Sequence, residues 1–400
     1  MQKKLIALAI AGLASTGAFA QTNVTIYGVV DMAYGNFDSN ATRGAASGDY
    51  QFSGIASGGL SGPRLGFKAE EDLGGGLKAG TVLEFGTLSP DGGAASGAGG
   101  TSGLANSRQT YLFLSSASMG TFQMGRLYNP GTNTAAGFDV EGASTFGPIT
   151  RITTNMGLAI DAAGGNAARQ NNSIGWLSPK WSGFSAQLQY SFGENGEAGT
   201  NGSKRTSDGD TWGLGLNYAN GPLALGFVYS DASNFGGQSK TAGAAPGIDV
   251  TEWFVGGSYD FGMLKLAGSY QDFDIDNTNN LASGDTSNGI TASNGARAKS
   301  SGDIWNVGVI VPVFKAGSVR VSYASLSRTM KNNLGVKTNG DADGWGISYQ
   351  HAMSKRTTAY VGYVDMSNDR GSQIRAANVV SAPGAGQDSS GFAMGMRHTF

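Results

Sequence analysis

The residue types that usually carry catalysis are scarce in this sequence. The 400-residue chain has no cysteine and only two histidines, His351 and His398. A serine hydrolase needs a histidine held between a serine and an acid, and both histidines fall among alternating apolar residues. The sequence also lacks a phosphate-binding P-loop and the ligand spacing of a zinc site. We therefore expect no enzyme, no metal site and no cofactor.

One acidic run could bind a cation. Asp272, Asp274 and Asp276 alternate in "QDFDIDN", and carboxylates in such an array can hold Ca²⁺. The glycine-turned spacing of a dedicated calcium loop is missing. The run is therefore interpreted as a solvated acidic rim beside a long connection.

The charged residues of the sequence, arginines and a few acids, are suited to setting up an electric field across a channel and not to making or breaking covalent bonds. Opposed charges across a narrow channel would orient dipolar solutes and select among ions. The predicted constriction combines two acids of an apolar, glycine-rich connection at 129–167 with four arginines placed to face them: Asp139, Glu141, Arg64, Arg108, Arg126 and Arg151. Other charged residues on polar faces are predicted to line the wider lumen wall: Lys68, Lys78, Glu84, Lys265 and Arg320. The alternative for each arginine is that it is an ordinary cation of the wall, paired with a nearby acid, and does not line the constriction.

The elements that must position these residues are strands. In "DTWGLGLNYAN", Trp212, Leu214, Leu216 and Tyr218 alternate with Thr, Gly and Asn, and "GFSAQLQYSF" and "DIWNVGVIVPV" repeat the pattern. Such alternation predicts strands with one apolar and one polar face. The apolar faces are about ten residues long, which suits a tilted strand that crosses a bilayer.

The connections alternate between short and long. Seven short links, such as "LGGGL" and "NGP", and eight long polar links join sixteen predicted strands. In lipid every backbone N–H and C=O must be paired, so such a sheet has to close into an antiparallel barrel. Sixteen strands leave an aqueous lumen. The last segment, "GFAMGMRHTF", ends its apolar face on Phe400 and is predicted to pair with the first, "NVTIYGVVDMAYG".

One residue conflicts with the alternation. Arg126 shares the parity of Phe122 and Met124, so a regular strand would place all three on the apolar face. Either a β-bulge near Gly125 shifts the register, or part of this strand is buried at a subunit interface or under the long connection.

The N-terminus and the composition bound the remaining possibilities. Residues 1–20 have a basic start, a short apolar run and an Ala18-x-Ala20 site, which predicts a secretory signal peptide ahead of a barrel at 21–400. Glycine is frequent, with 66 residues, but shows no triplet period. The formal net charge of −2 is too small to indicate a nucleic-acid partner.

Six stretches carry a family resemblance. They are "NVTIYGVVDMAYG", "RLGFKAEEDLGGGLKAG", "SRQTYLFL", "GTFQMGRLYNP", "RQNNSIGWLSPKWSGF" and "MRHTF". In this order they resemble the trimeric general-diffusion porins of Gram-negative bacteria, of the neisserial and burkholderial type. The resemblance implies a sixteen-stranded homotrimeric barrel in outer-membrane lipid that passes ions and small hydrophilic solutes. It also implies short periplasmic turns, long extracellular loops, a third long loop folded into the lumen, and Phe400 in the signal read by the barrel-assembly machinery.

Two alternatives stay open. A substrate-selective porin of the same fold would carry aromatic residues on the lumen face, and few are found there, Tyr27 and Phe254 among them. A structural or adhesive surface barrel with a plugged lumen would conduct nothing. The scarcity of aromatic residues on the lumen face favours the non-specific pore over the first alternative, and the glycine-, serine- and asparagine-rich links favour it over the second.

Overall fold

A computed structural model of the protein describes residues 23–39, 50–86, 107–161, 168–193, 210–235, 248–276, 299–331, 336–380 and 383–400. The predicted signal peptide and most of the long links lie outside these residues. Within them, neither of the two helices is long and apolar enough to cross a membrane. The strands are β1 (Asn23–Ser39), β2 (Tyr50–Ser57), β3 (Arg64–Gly74), β4 (Leu77–Phe85), β5 (Ser107–Ser116), β6 (Gly120–Tyr128), β7 (Arg169–Leu177), β8 (Phe184–Ser191), β9 (Thr211–Asn220), β10 (Leu223–Phe235), β11 (Ile248–Asp260), β12 (Lys265–Asp276), β13 (Lys299–Val313), β14 (Gly317–Lys331), β15 (Lys337–Asn339), β16 (Ala342–Ala352), β17 (Thr357–Asn368) and β18 (Ser389–Thr399).

These segments form one closed antiparallel barrel of sixteen strands. Two barrel strands are interrupted: β2 and β3 pair with the two halves of β1, and β15 and β16 pair in the same way with β14. The sequence-based prediction of a sixteen-stranded barrel with alternating short and long links is confirmed. The breaks within these two strands were not predicted.

The barrel closes between the two ends of the sheet, as the sequence predicted. β1 pairs with β18 from Val29 opposite Thr399 to Ser39 opposite Ser389. Phe400 continues this pairing, since its backbone N–H donates to Gly28 and its carbonyl accepts from Gly28, both at 3.1 Å. The backbone of Phe400 is therefore part of the barrel wall, and the seam between β1 and β18 is hydrogen-bonded along its length.

The outward face of the wall carries the predicted apolar residues. Exposed side chains such as Ile26, Leu112, Leu225, Val307 and Met394 point away from the lumen. Near the ends of the strands that carry the long links, aromatic rings form cross-strand pairs: Trp212–Tyr229, Trp253–Tyr270, Trp305–Tyr323 and Trp345–Tyr363, with centroids 5.0 to 5.3 Å apart. Amphipathic rings favour the membrane–water interface, so these pairs mark one border of the membrane.

The third long link folds into the barrel. Its described part contains two helices, α1 (Pro130–Ala135) and α2 (Pro148–Met156). Apolar residues of α2 and of the chain before it join inward-facing residues of the barrel wall in a buried core that includes Phe146, Ile152, Met156, Phe273 and Leu326. Ala135 of α1 belongs to a second, smaller buried cluster with Phe138, Ile160, Val228 and Phe254. We call the described part of this link, residues 129–161, the inner segment. It fills the side of the lumen next to β9–β17.

Candidate functional site: a constriction inside the barrel

Local signals start and stop the helices of the inner segment. Asn129 caps α1, with its side-chain oxygen accepting from the Thr132 N–H at 2.7 Å, and Pro130 follows in the first turn. This is a standard helix start, because the cap satisfies a free N–H and proline has none. Helix α2 also begins with a proline, Pro148, and ends at Gly157 in the left-handed conformation, with φ +68°.

The inner segment packs tightly because the facing wall is lined with glycine. A Cβ added at Gly226 or at Gly256 would lie 2.5 Å from the ring of Phe138. One at Gly346 would lie 1.9 Å from the backbone oxygen of Phe146. The glycines that alternate with apolar residues in these strands therefore leave room for the inner segment.

Polar anchors hold the inner segment at several points. Glu252 of β11 accepts from the N–H groups of Ala159 and Ile160, at 2.7 and 3.1 Å. Arg320 of β14 donates to the carbonyl of Val140 at 2.8 Å. These contacts fix both the middle and the end of the inner segment to the wall.

The predicted acids lie in the contact between the inner segment and the wall. Asp139 is 7% exposed and accepts from the N–H groups of Glu141 and Ala143 and from Thr150. Glu141 is 1% exposed and accepts from Ser348 Oγ at 2.6 Å. Burial raises the pKa of both carboxyl groups, that of Glu141 to about 7.

Arg151 lies within the inner segment, in α2, and not on a wall that faces it. Its side chain is 5% exposed, and its Nε has no hydrogen-bond partner among the described residues. Burial lowers the pKa of its guanidinium to about 10, although the charge of Asp161 opposes this effect.

Arg64 and Arg108 come together on the opposite wall. Arg108 Nε forms an ion pair with Glu84 Oε1 at 2.7 Å, and Tyr27 donates to the other carboxylate oxygen at 3.1 Å. Arg64 Nε donates to the carbonyl of Gly62 at 3.2 Å, and a Cβ added at Gly62 would lie 3.2 Å from Arg108 Nη1. The two guanidinium groups thus share one neighbourhood with the Glu84 carboxylate.

A further arginine of this group was missed in the sequence. Arg169, the first residue of β7, and Arg108 both donate to the Tyr128 hydroxyl, at 2.8 and 2.6 Å. The guanidinium of Arg169 also lies over the Tyr128 ring, 4.6 Å from its centroid. Its place directly after a long link, in "RQNNSIGW", could have indicated a lumen position, but a bulge hides the alternation there. We call Arg64, Arg108 and Arg169 the arginine cluster.

Arg126 lies outside the arginine cluster, beside that bulge. The β6–β7 register shifts between Gly125 and Leu127, and Asn172 of β7 has a φ of +48°. Arg126 keeps the outward parity of Met124, while its guanidinium contacts Asn171 and the carbonyls of Ser107 and Arg169. The bulge is therefore present, and its extra residue lies on β7.

The predicted wall residues have varied surroundings. Lys68 and Lys78 both contact Glu70, at 2.9 and 2.7 Å, on the inward face near the short-turn end. Lys265 begins β12 on the same parity as inward-facing Ala267. Arg320, by contrast, contacts the inner segment itself. The lumen therefore has a cationic wall at β3–β7 and a glycine-lined wall covered by the inner segment.

Comparison with known proteins agrees with this architecture. Residues 7–371 match the family model described as Gram-negative porin. The chain is 32% identical over 413 residues to outer membrane porin protein 32 of Delftia acidovorans, with 100% of each chain covered. It is 31% identical to an outer membrane porin protein of Bordetella pertussis, over 90% of this chain and 93% of that one. Among solved structures, an anion-selective porin from Comamonas acidovorans superposes with a TM-score of 0.70 and 28% identity, over 95% of this chain and 100% of that one.

A closed barrel with an infolded third link defines a channel protein of the outer membrane, and the chain belongs to the Gram-negative porin family. It is an outer-membrane porin that forms a channel for passive diffusion and is not an enzyme. The resemblance noted in the sequence is thereby confirmed.

Proposed function

We propose that this porin passes ions and small hydrophilic solutes through a constriction between the inner segment and the arginine cluster, with a preference for anions. The observation that carries the proposal is the convergence of Arg64, Arg108 and Arg169 on one wall beside the acid Glu84. Fixed cations at a narrow point concentrate anions and repel cations.

The acids of the inner segment, which faces the arginine cluster, also favour a preference for anions. Asp139 and Glu141 are buried in the contact between the inner segment and the wall, so neither carboxyl group is exposed in the open lumen as a site for cations. Burial also holds the pKa of Glu141 at about 7, which leaves this group only partly ionised at neutral pH. The solved neighbour with the TM-score of 0.70 is itself described as anion-selective.

The porin is proposed to act as a homotrimer in outer-membrane lipid. The outward face of β9–β18 and β1 carries the aromatic pairs. The outward face of β2, β5 and β6 instead carries polar side chains near the ends of these strands that join the long links, namely Ser53, Thr110 and Arg126. An outward arginine that faces lipid is unfavourable by about 2–4 kcal/mol at the bilayer midplane and by up to about 1 kcal/mol near the interface, towards which Arg126 lies. This side of the barrel is therefore assigned to subunit contact. Phe400 is proposed to belong to the signal read by the barrel-assembly machinery.

The test is single-channel recording in planar lipid bilayers, with the reversal potential measured in a KCl gradient. The wild-type protein should show anion preference, and Arg64→Gln and Arg108→Gln should move the reversal potential towards zero. Arg108→Gln should have the larger effect, because it also leaves the charge of Glu84 without its ion-pair partner. Arg356→Gln, in the exposed turn between β16 and β17, removes the same charge away from the constriction and should change little.

Two outcomes would contradict the proposal. Cation preference in the wild-type protein, or equal effects of Arg356→Gln and Arg108→Gln, would remove the role of the arginine cluster. A folded barrel without conductance would favour the plugged surface protein instead.

A further inference from the structure

The connection between β2 and β3 interrupts a barrel strand at mid-wall. It comprises residues 58–63, "GGLSGP", which we call the bridge. It starts at Gly58, which has a φ of +86° and donates to the backbone carbonyl of Asp31 at 2.9 Å. Leu60, in its middle, is buried in the same apolar core as the inner segment. The bridge therefore bends inward from the wall.

The bridge contacts both sides of the constriction. The carbonyl of Gly59 accepts from the N–H of Thr145 in the inner segment at 2.9 Å. The carbonyl of Gly62 accepts from Arg64 Nε at 3.2 Å, next to Arg108. Because these two carbonyls belong to the same short connection, the position of the bridge fixes the inner segment relative to the arginine cluster.

A buried carboxylate holds the bridge. Asp31 of β1 is 0% exposed, and its Oδ2 accepts from the N–H groups of Leu60 and Ser61, both at 2.8 Å. Its Oδ1 accepts from the Tyr360 hydroxyl at 2.5 Å. Hydrogen bonds to an ionised acceptor are among the stronger ones in proteins.

Tyr360 connects this carboxylate to the inner segment. Its ring packs edge-on against Phe146, with centroids 6.1 Å apart and an interplanar angle of 66°. A Cβ added at Gly59 would lie 2.1 Å from the Tyr360 hydroxyl, so the bridge runs directly over this side chain. Strands β1 and β17, the bridge and the inner segment thus meet at Asp31.

We propose that Asp31 is a positioning residue for the channel, which sets the separation between the inner segment and the arginine cluster through the bridge. This inference rests on the proposed constriction. It assigns the control of ion selectivity to a side chain that does not line the ion path.

The test compares three substitutions on β1 in the full-length protein. Asp31→Ala removes all three acceptor contacts, so we expect altered single-channel conductance and a reversal potential shifted towards zero. Asp31→Asn can accept from Leu60 and Ser61 with its oxygen and donate to Tyr360 with its nitrogen, so it should retain wild-type values. Asp38→Ala removes an acid from the same strand that contacts Gln51 and not the bridge, and should behave as wild type.

The outcomes separate this inference from the proposed function. Wild-type conductance and reversal potential in folded Asp31→Ala would overturn it, and so would equal shifts in Asp31→Asn and Asp31→Ala, which would indicate charge rather than position. If Asp31→Ala does not fold, Tyr360→Phe, which removes one donor, decides in the same way: a shift supports the inference and wild-type values overturn it. Absence of anion preference in the wild-type protein would contradict the proposed function alone, since the conductance change would still test Asp31.

Discussion

At the scale of single residues, Glu141 is a group whose charge changes near neutral pH. Burial raises the pKa of its carboxyl from 4.5 to about 7. A carboxyl with a raised pKa keeps its proton in the folded protein after the unfolded chain has lost its own. The contribution of Glu141 to the free energy of unfolding therefore falls as the pH rises from 4.5 to about 7 and is constant below and above this range.

The same titration should change selectivity. Lowering the bath from about pH 8 to about pH 6 protonates Glu141 and removes a negative charge near the constriction, so anion preference should increase. Reversal potentials in a KCl gradient at the two pH values measure this. Glu141→Gln should have a smaller pH dependence than the wild-type protein, and an undiminished dependence would assign the effect to another group.

The residues of the site could be predicted only in part. Arg64 alternates with Leu65 and Phe67, so regular alternation places it on the inward face, which a sequence displays directly. Arg108 shares the parity of the outward residues Leu112 and Leu114 and meets Glu84 at a register shift between β4 and β5, which alternation does not predict. Arg151 and the two acids belong to an irregular connection, whose contacts depend on a distant glycine-lined wall. Arg169 lies beyond a bulge whose extra residue on β7 reverses the parity, so alternation alone does not place it. Arg126 keeps the outward parity that alternation assigns to it, because β6 carries no extra residue.

At the scale of elements, the inner segment is held at its end by Glu252. This carboxylate accepts from two backbone N–H groups and from Gln271 Nε2, at 2.8 Å. Glu252→Ala leaves those donors unpaired, which should destabilise the end of the inner segment by about 1–3 kcal/mol. Amide hydrogen exchange at Ala159 and Ile160 should accelerate by roughly one to two orders of magnitude if exchange follows local opening.

The matched control for this change is Asp274→Ala, an exposed acid on the neighbouring strand β12. It should leave exchange in the inner segment at the wild-type rate. Equal exchange in Glu252→Ala and wild-type protein would mean that apolar packing against the glycine-lined wall is sufficient to hold the segment.

The elements themselves were largely predictable. Period-two alternation in segments of about ten residues indicated the barrel strands, and the short links indicated their pairing order. The break at the bridge was not predicted, because the side chain that stabilises it, Asp31, lies 29 and 30 residues from the N–H groups it binds. Contacts of that separation leave no local pattern in a sequence.

At the scale of the whole molecule, the barrel depends on closure between its first and last strands. Gly28 and Phe400 exchange two backbone hydrogen bonds at the end of this seam. A Cβ at Gly28 would lie 2.3 Å from Phe400 Cζ and 2.8 Å from the backbone oxygen of Arg64. The ring can rotate away from such a contact, but the backbone of β3 cannot easily do so.

Gly28→Ala should therefore weaken the seam, at a cost of about 1–3 kcal/mol for overpacking against a fixed neighbour. The temperature at which the folded barrel unfolds in detergent, followed by its altered migration on a gel, should fall. Gly54→Ala on β2 is the matched control, because its Cβ would meet only the Phe52 side chain, at 3.5 Å. A fall of equal size in both variants would show that the loss of glycine in the wall, and not the contact at the seam, lowers stability.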